Sequence, residues 1–121
     1  QQIRAFHFQL IARTMDKLKT MPEGGGTMLD NTVIVYLSDG AETHHSRCFE
    51  WPFVVLGNAS GRLKAGRYLQ FPDYGLKGHR TINALHETLL HLAGASQGLF
   101  GSLDPNLDKD MHRGPLEQLF V

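Results

Sequence analysis

The chain has 121 residues, the length of one domain, and 41% of them are hydrophobic, as in an ordinary protein with an apolar core. Twelve basic residues balance twelve acidic ones, so there is no broad positive field to collect nucleic acid or anionic lipid, and no nucleic-acid partner is expected. No apolar run reaches the roughly 20 residues of a membrane span. The lone Cys48 cannot form an intrachain disulfide, which leaves the cellular compartment open.

The first predicted element is an amphipathic helix over residues 3–21. Its apolar residues recur mostly at three- and four-residue steps, with charged residues between them. Pro22 and the three glycines at 24–26 end it. The apolar run 33–37 then predicts a short strand, and because apolar and polar residues do not alternate in it, we expect burial on both faces, as in the middle of an α/β sheet.

A second strand, a second helix and a C-terminal segment follow. The run 53–56 predicts the strand, in either direction relative to the first, because a loop of about a dozen residues permits both. The helical period returns over 81–93, with Gly94 as a C-cap. Between and after these elements we expect a turn at 57–61, a short strand at 67–71, a loop from 96 and a docking segment at 116–120.

The chemistry-bearing stretch is the polar loop 38–46, directly after the first strand. It contains Asp39, Glu42, His44 and His45 beside three hydroxyl side chains. In open α/β sheets ligands gather at the carboxyl ends of strands, and Asp with His is a normal ligand set for zinc, manganese or iron. The competing interpretation is an ordinary Asp-Gly turn with histidines that face solvent. Because neighbouring residues of an extended segment point to opposite sides, His44 and His45 are not expected to bind the same ion together.

Several segments, in order, resemble a known family. They are GTMLDNTVIVYLSDG at 26–40, HHS at 44–46, EWPFVVLG at 50–57, GRLKAGR at 61–67, GHRT at 78–81 and LLHLAG at 89–94. Together they resemble the C-terminal part of the HXXSHH family, bacterial proteins without an established activity that are abundant in planctomycetes and related to the alkaline-phosphatase and sulfatase superfamily. The resemblance covers residues 27–119.

The resemblance implies an α/β fold of the alkaline-phosphatase type, with a mixed or mostly parallel sheet flanked by helices. Residues 1–121 would be a single-domain fragment, the C-terminal part of a larger domain of this kind. In the superfamily, an acidic residue at a strand end and a histidine shortly before a Pro-hydrophobic segment hold metal. Here Asp39 matches the acid, and His44 or His45 matches the histidine ahead of Trp51-Pro52-Phe53. Gly40 departs from the pattern, since metal-dependent phosphatases commonly have His there, and the loop is short.

Two functions from different classes are therefore expected as alternatives. The first is a metal-dependent phosphate- or sulfate-ester hydrolase, in which Asp39 and either His44 or His45 bind a divalent zinc, manganese or calcium ion. Its partners would be the N-terminal part of the same protein or other subunits, with a small anionic ester as substrate. The second is a non-catalytic exported protein that keeps the fold and binds a partner or a surface polymer. The resemblance implies a periplasmic or exported location; a purely structural fragment is the third possibility.

The remaining polar and aromatic residues have simpler interpretations. His79, just before the second helix, could approach the loop, but a cap or surface contact beside Arg80 is the more ordinary role. We expect Trp51 and Phe53 in the core. The expected structural or exposed histidines are His7, His86, His91 and His112, and the expected surface acidic patch is Asp104, Asp108 and Asp110.

Overall fold

The computed structural model describes residues 2–38 and 50–121, a mixture of helices and short strands. In chain order the elements are α1 (Gln2–Lys19), β1 (Pro22–Glu23), β2 (Gly26–Thr27), α2 (Met28–Asn31), β3 (Val33–Leu37), β4 (Phe53–Gly57), α3 (Ile82–Leu92) and two 3-10 turns, Lys109–Met111 and Glu117–Leu119. Each of the two sheets has two antiparallel strands, β1 with β2 and β3 with β4. Within these described ranges, no helix combines the length and the apolar character that crossing a membrane requires.

The central sheet consists of β3 and β4, the two strands predicted from apolar runs. They pair antiparallel, with Val33 opposite Gly57 and Leu37 opposite Phe53. The sequence predicted a mixed or mostly parallel sheet. In the part of the chain that is described, the central sheet is instead a single antiparallel pair of strands. The expectation that the first strand is buried on both faces is wrong here. Its first four residues are half-buried and Leu37 is 45% exposed, because a two-stranded sheet leaves most of one face uncovered.

The core lies on one face of this sheet, against α3 and the C-terminal segment. Phe53 and Val55 pack against a buried group from α3 and the C-terminal segment, which consists of Ala84, Leu85 and Leu116. A second buried group, Ala59, Leu63 and Leu92, receives Val33, Val55 and Phe120. The predicted docking segment is confirmed, because Leu116 is buried and Lys64 N donates to Leu119 O at 2.9 Å.

The opposite face of the sheet meets α1 at Tyr36. The Phe8 and Tyr36 rings lie 4.8 Å apart, and His7 Nδ1 lies 3.2 Å from the Tyr36 hydroxyl. The predicted first helix is confirmed, but none of its residues is buried, and Ile3 is 73% exposed. Its apolar stripe is therefore largely uncovered by the residues described.

The short helix α2 was not predicted from the sequence. A reciprocal capping box starts it: Thr27 N donates to Asp30 Oδ2 at 2.8 Å and Asp30 N donates to Thr27 Oγ1 at 3.4 Å. The backbone hydrogen bond to Thr27 holds the pKa of Asp30 below its ordinary value. Ser60 N then donates to Asp30 O at 2.6 Å, which ties α2 to the predicted turn after β4.

That turn depends on Gly57, the last residue of β4. Its φ is +98°, and a Cβ at this position would lie 2.1 Å from the backbone oxygen of Thr32. Only glycine combines this φ with so close an approach to the neighbouring chain. The close pairing of β4 with the start of β3 therefore requires glycine here.

The second predicted helix is confirmed as α3, with Thr81 at its N-cap and Gly94 after its C-terminus. Gly94 has φ +73°, and Ala95 N donates to Leu90 O at 2.9 Å, so a left-handed glycine ends the helix as expected. By contrast, the expected strand at 67–71 is wrong, because the described residues give it no strand partner. Phe71 of this segment packs instead against the core group around Leu85.

A buried carboxylate on α3 holds the loop that follows the helix. Glu87 is fully buried, and its Oε1 accepts hydrogen bonds from Ser96 Oγ, from Gln97 N at 2.9 Å and from Gly98 N at 2.8 Å. These bonds, that from Ser96 first, hold the pKa of Glu87 below its ordinary value although burial opposes the shift. The loop after α3 is thus folded back onto the helix by one side chain.

Candidate functional site

The three predicted metal ligands, Asp39, His44 and His45, lie outside the described residues 2–38 and 50–121. The structure does describe the two segment ends that flank them, the C-terminal end of β3 and the N-terminal end of β4. Because Leu37 and Phe53 are cross-strand partners, these ends leave the sheet side by side. Trp51 Nε1 donates to Ser38 O at 2.7 Å and joins them directly. The residues that flank the three predicted ligands in the sequence therefore lie together at one end of the β3–β4 pair.

A cavity of about 810 Å³ lies along β4, from Trp51 at this end of the sheet to Gly57 at the other. One part of its wall comes from the start of β4, where the rings of Trp51 and Phe53 stack with centroids 6.2 Å apart and planes at 28°. The expectation that these two rings are core residues is met only in part, because both are half-buried and line the cavity. This volume is in the range of small-molecule sites, which are mostly apolar with few polar groups.

His79 belongs to another part of the same wall and is buried, with 8% of its surface exposed. Its Nδ1 lies 2.8 Å from Pro72 O. Because a carbonyl oxygen can only accept, Nδ1 carries the proton and donates it, which leaves Nε2 with a lone pair in the neutral ring. The more ordinary role expected for His79, a cap or surface contact, therefore does not describe it: the ring is inside the wall and its tautomer is set by a backbone carbonyl.

Tyr74 and Asp104 form a hydrogen-bonded pair next to His79. The Tyr74 hydroxyl donates to Asp104 Oδ2 at 2.6 Å, and the Tyr74 and His79 rings make a T-shaped contact at 5.8 Å. The bond from Tyr74 is the main cause that lowers the pKa of Asp104, and the same bond raises the pKa of Tyr74. Asp104 is half-buried and also accepts from Asn106 N, so it is part of this wall and not of a free acidic patch.

Arg80 and His112 also line the cavity, and they connect the segments that form its wall. The Arg80 guanidinium donates to the carbonyl oxygens of Arg113 at 2.7 Å and Gly114 at 3.0 Å, and burial lowers the pKa of this guanidinium. His112 is only 2% exposed, with Nδ1 3.3 Å from Thr81 Oγ1. Arg80 Nε and His112 Nε2 are both sealed in the interior without a hydrogen-bond partner. These two residues therefore fix the C-terminal segment against the start of α3, as the structural interpretation of His112 expected.

In residues 2–38 and 50–121, no group of three or more His, Cys, Asp or Glu side chains is arranged to hold an ion. The sequence did not single out Tyr74, whose partner Asp104 is 30 positions away in a stretch without periodic signal.

Protein-family models, curated proteins and solved structures were compared with the chain, and none of them matches it.

Proposed function

We propose that this chain contributes a metal site to a metal-dependent hydrolase of phosphate or sulfate esters. The observation that carries the proposal is the order of segments in the sequence: a strand, then Asp39, then His44 and His45, then Trp51-Pro52-Phe53. This is the order in which the alkaline-phosphatase and sulfatase superfamily places an acidic ligand and a histidine ligand. The side-by-side ends of β3 and β4, next to a cavity, support the proposal because they give such a loop a recess for substrate.

The donor set favours some metals over others. A carboxylate from Asp39 and an imidazole from His44 or His45 suit zinc or manganese, whereas calcium prefers a shell made of oxygen atoms. A bound ion of this kind activates water or neutralises charge that develops on the ester. The residues of this chain would hold the ion, and the nucleophile and further ligands would come from an N-terminal part of the same protein or from another subunit.

The proposal extends to the fold and the location. We infer that β3 and β4 belong to a larger mixed or mostly parallel sheet of the alkaline-phosphatase type, flanked by helices. An antiparallel pair is compatible with a mixed sheet. A periplasmic or exported location follows from the same resemblance.

The direct test is metal analysis of the full-length protein, purified without chelator, together with a screen of generic phosphate and sulfate esters. We expect about one bound transition-metal ion to be lost in Asp39→Ala, with loss of ester turnover. His91→Ala is the matched control, because His91 is exposed on α3 and lies against Phe120, and it should keep both metal and activity. Wild-type protein without stoichiometric metal, or an Asp39→Ala variant that retains it, would refute the proposal.

Gly40 favours a second candidate, a non-catalytic exported binding protein that retains the fold. It stands where metal-dependent phosphatases commonly have His directly after the acid. Under this alternative, the ester screen yields no turnover at any metal concentration. A metal-dependent turnover that His44→Ala or His45→Ala abolishes would rule it out.

A further inference from the structure

The cavity beside β4 has an aromatic wall in a fixed position. Trp51 is held by its hydrogen bond to Ser38 O, and Phe53 is anchored in the core by its packing against the buried group around Leu85. The two rings lie 6.2 Å apart with their planes at 28°, and both contribute apolar surface to the cavity wall. Aromatic side chains in a cavity wall favour a ligand ring in an offset-stacked or edge-to-face arrangement.

The polar groups of the same wall are mostly satisfied within the protein. The Tyr74 hydroxyl donates to Asp104, whose other oxygen accepts from Asn106. The Arg80 guanidinium is committed to backbone carbonyls, and its Nε is sealed. Among the described residues of the wall the charged side chains balance, with Lys64, Arg67 and Arg80 against Glu50, Asp73 and Asp104. These described residues therefore offer a ligand little net charge.

Among the described residues of this wall, His79 offers a ligand a polar atom on a fixed ring, its Nε2. The donation from Nδ1 to Pro72 O leaves Nε2 as an acceptor, and, unlike Arg80 Nε and His112 Nε2, it is not sealed in the interior. An acceptor selects a ligand group that donates, such as a hydroxyl. The described part of the wall thus combines two aromatic rings with a hydrogen-bond acceptor at His79.

We propose that this cavity binds an aromatic alcohol, with its ring on the Trp51–Phe53 surface and its hydroxyl donating to His79 Nε2. In the hydrolase this alcohol is the leaving group of an aryl ester, an assignment that rests on the proposed function. The water oxygen bonds to phosphorus or sulfur, the aryl oxygen–phosphorus or oxygen–sulfur bond breaks, and one hydrogen of the water ends on the aryl oxygen. The alcohol so formed then donates to Nε2. Binding of the free alcohol requires neither metal nor turnover.

The experiment is calorimetric titration of the full-length protein, in chelator, with 2-naphthol and with 2-methoxynaphthalene, which keeps the ring but cannot donate. One neutral hydrogen bond predicts that wild-type protein prefers 2-naphthol about two- to tenfold. His79→Asn is the decisive variant, because the shorter amide can still donate to Pro72 O but has no group at the Nε2 position. It should bind both compounds equally.

Variants of Trp51 test the aromatic surface separately. Trp51→Ala should weaken the binding of both compounds to the same extent, whereas Trp51→Phe, which keeps a ring and loses only the bond to Ser38 O, should retain most of it. The proposal is overturned if wild-type protein gives no saturable binding, if it binds both compounds equally, or if His79→Asn keeps the preference. Since chelator is present throughout, these outcomes are separate from those of the metal analysis.

Discussion

Glu87 provides the sharpest test of the energetics of this fold. Replacing it by alanine removes the acceptor of three hydrogen bonds from residues 96–98. Hydrogen bonds to a charged group contribute about 1.5–3 kcal/mol each. The loss expected for alanine is smaller than the sum of three such bonds, for two reasons. The donors lie on an exposed loop, where water replaces the carboxylate. The second oxygen, Oε2, is buried without a partner and is costly to keep there.

The net loss expected for Glu87→Ala is about 2–4 kcal/mol in the free energy of unfolding, a fall in Tm of roughly 6–20 °C for a chain of this size. Glu87→Gln is the matched control, since its amide oxygen can still accept from the loop while the charge and the titration are gone. We expect it to lose less than half as much at neutral pH. Urea and thermal unfolding followed by circular dichroism measure both variants.

The pH dependence of the same pair separates charge from shape. The folded-state pKa of Glu87 lies below its ordinary value of 4.5. The charge of Glu87 therefore stabilises the fold fully above about pH 5, and this contribution is lost as the pH falls through the lowered folded-state pKa. The difference in stability between wild type and Glu87→Gln should shrink between pH 5 and pH 3. A difference that stays constant over that range, or a Glu87→Ala variant within about 0.5 kcal/mol of wild type, would refute the reasoning.

Two further substitutions test local backbone features. Gly57→Ala should destabilise the protein by at least about 3 kcal/mol, because the new Cβ would lie 2.1 Å from Thr32 O, whereas Gly61→Ala, also at positive φ but with nothing within 4 Å, should cost only about 1–2 kcal/mol in urea unfolding. Equal losses would contradict the steric argument. Thr27→Ala should cost about 1 kcal/mol through loss of the capping box with Asp30, and Thr27→Ser should restore it; a Thr27→Ala variant with an unchanged urea midpoint would be evidence against the cap.

The two long helices and the central strands could be predicted from the sequence because periodicity and β-branched runs are local signals. Residues 3–21 and 81–93 have the period of α1 and α3, and Gly94 marks the end of α3 as expected. The antiparallel direction of β4 could not be predicted, because it depends on how the chain returns over a loop that permits either direction. The partial burial of β3 was missed for a related reason. An apolar run indicates that a strand favours burial, but it does not show which other elements cover that strand.

The candidate site divides in the same way. Asp39, His44 and His45 could be singled out because their residue types and their order along the chain carry information, and their role stays a prediction. The setting of His79 could not be predicted, since the tautomer of its ring is fixed by Pro72 O and its neighbour Tyr74 is bound by a residue 30 positions further along. Such contacts exist only after the loops before and after α3 have packed together.

The antiparallel pairing of β3 with β4 has a consequence for protein engineering. Since Leu37 and Phe53 are cross-strand partners, the ends of β3 and β4 lie side by side and are joined by the Trp51–Ser38 bond. The entropy of closing such a connection grows only slowly, by about 0.6 kcal/mol for each doubling of its length. A foreign binding sequence inserted between Ser38 and Glu50 should therefore cost little in loop-closure entropy, which makes this connection a graft point.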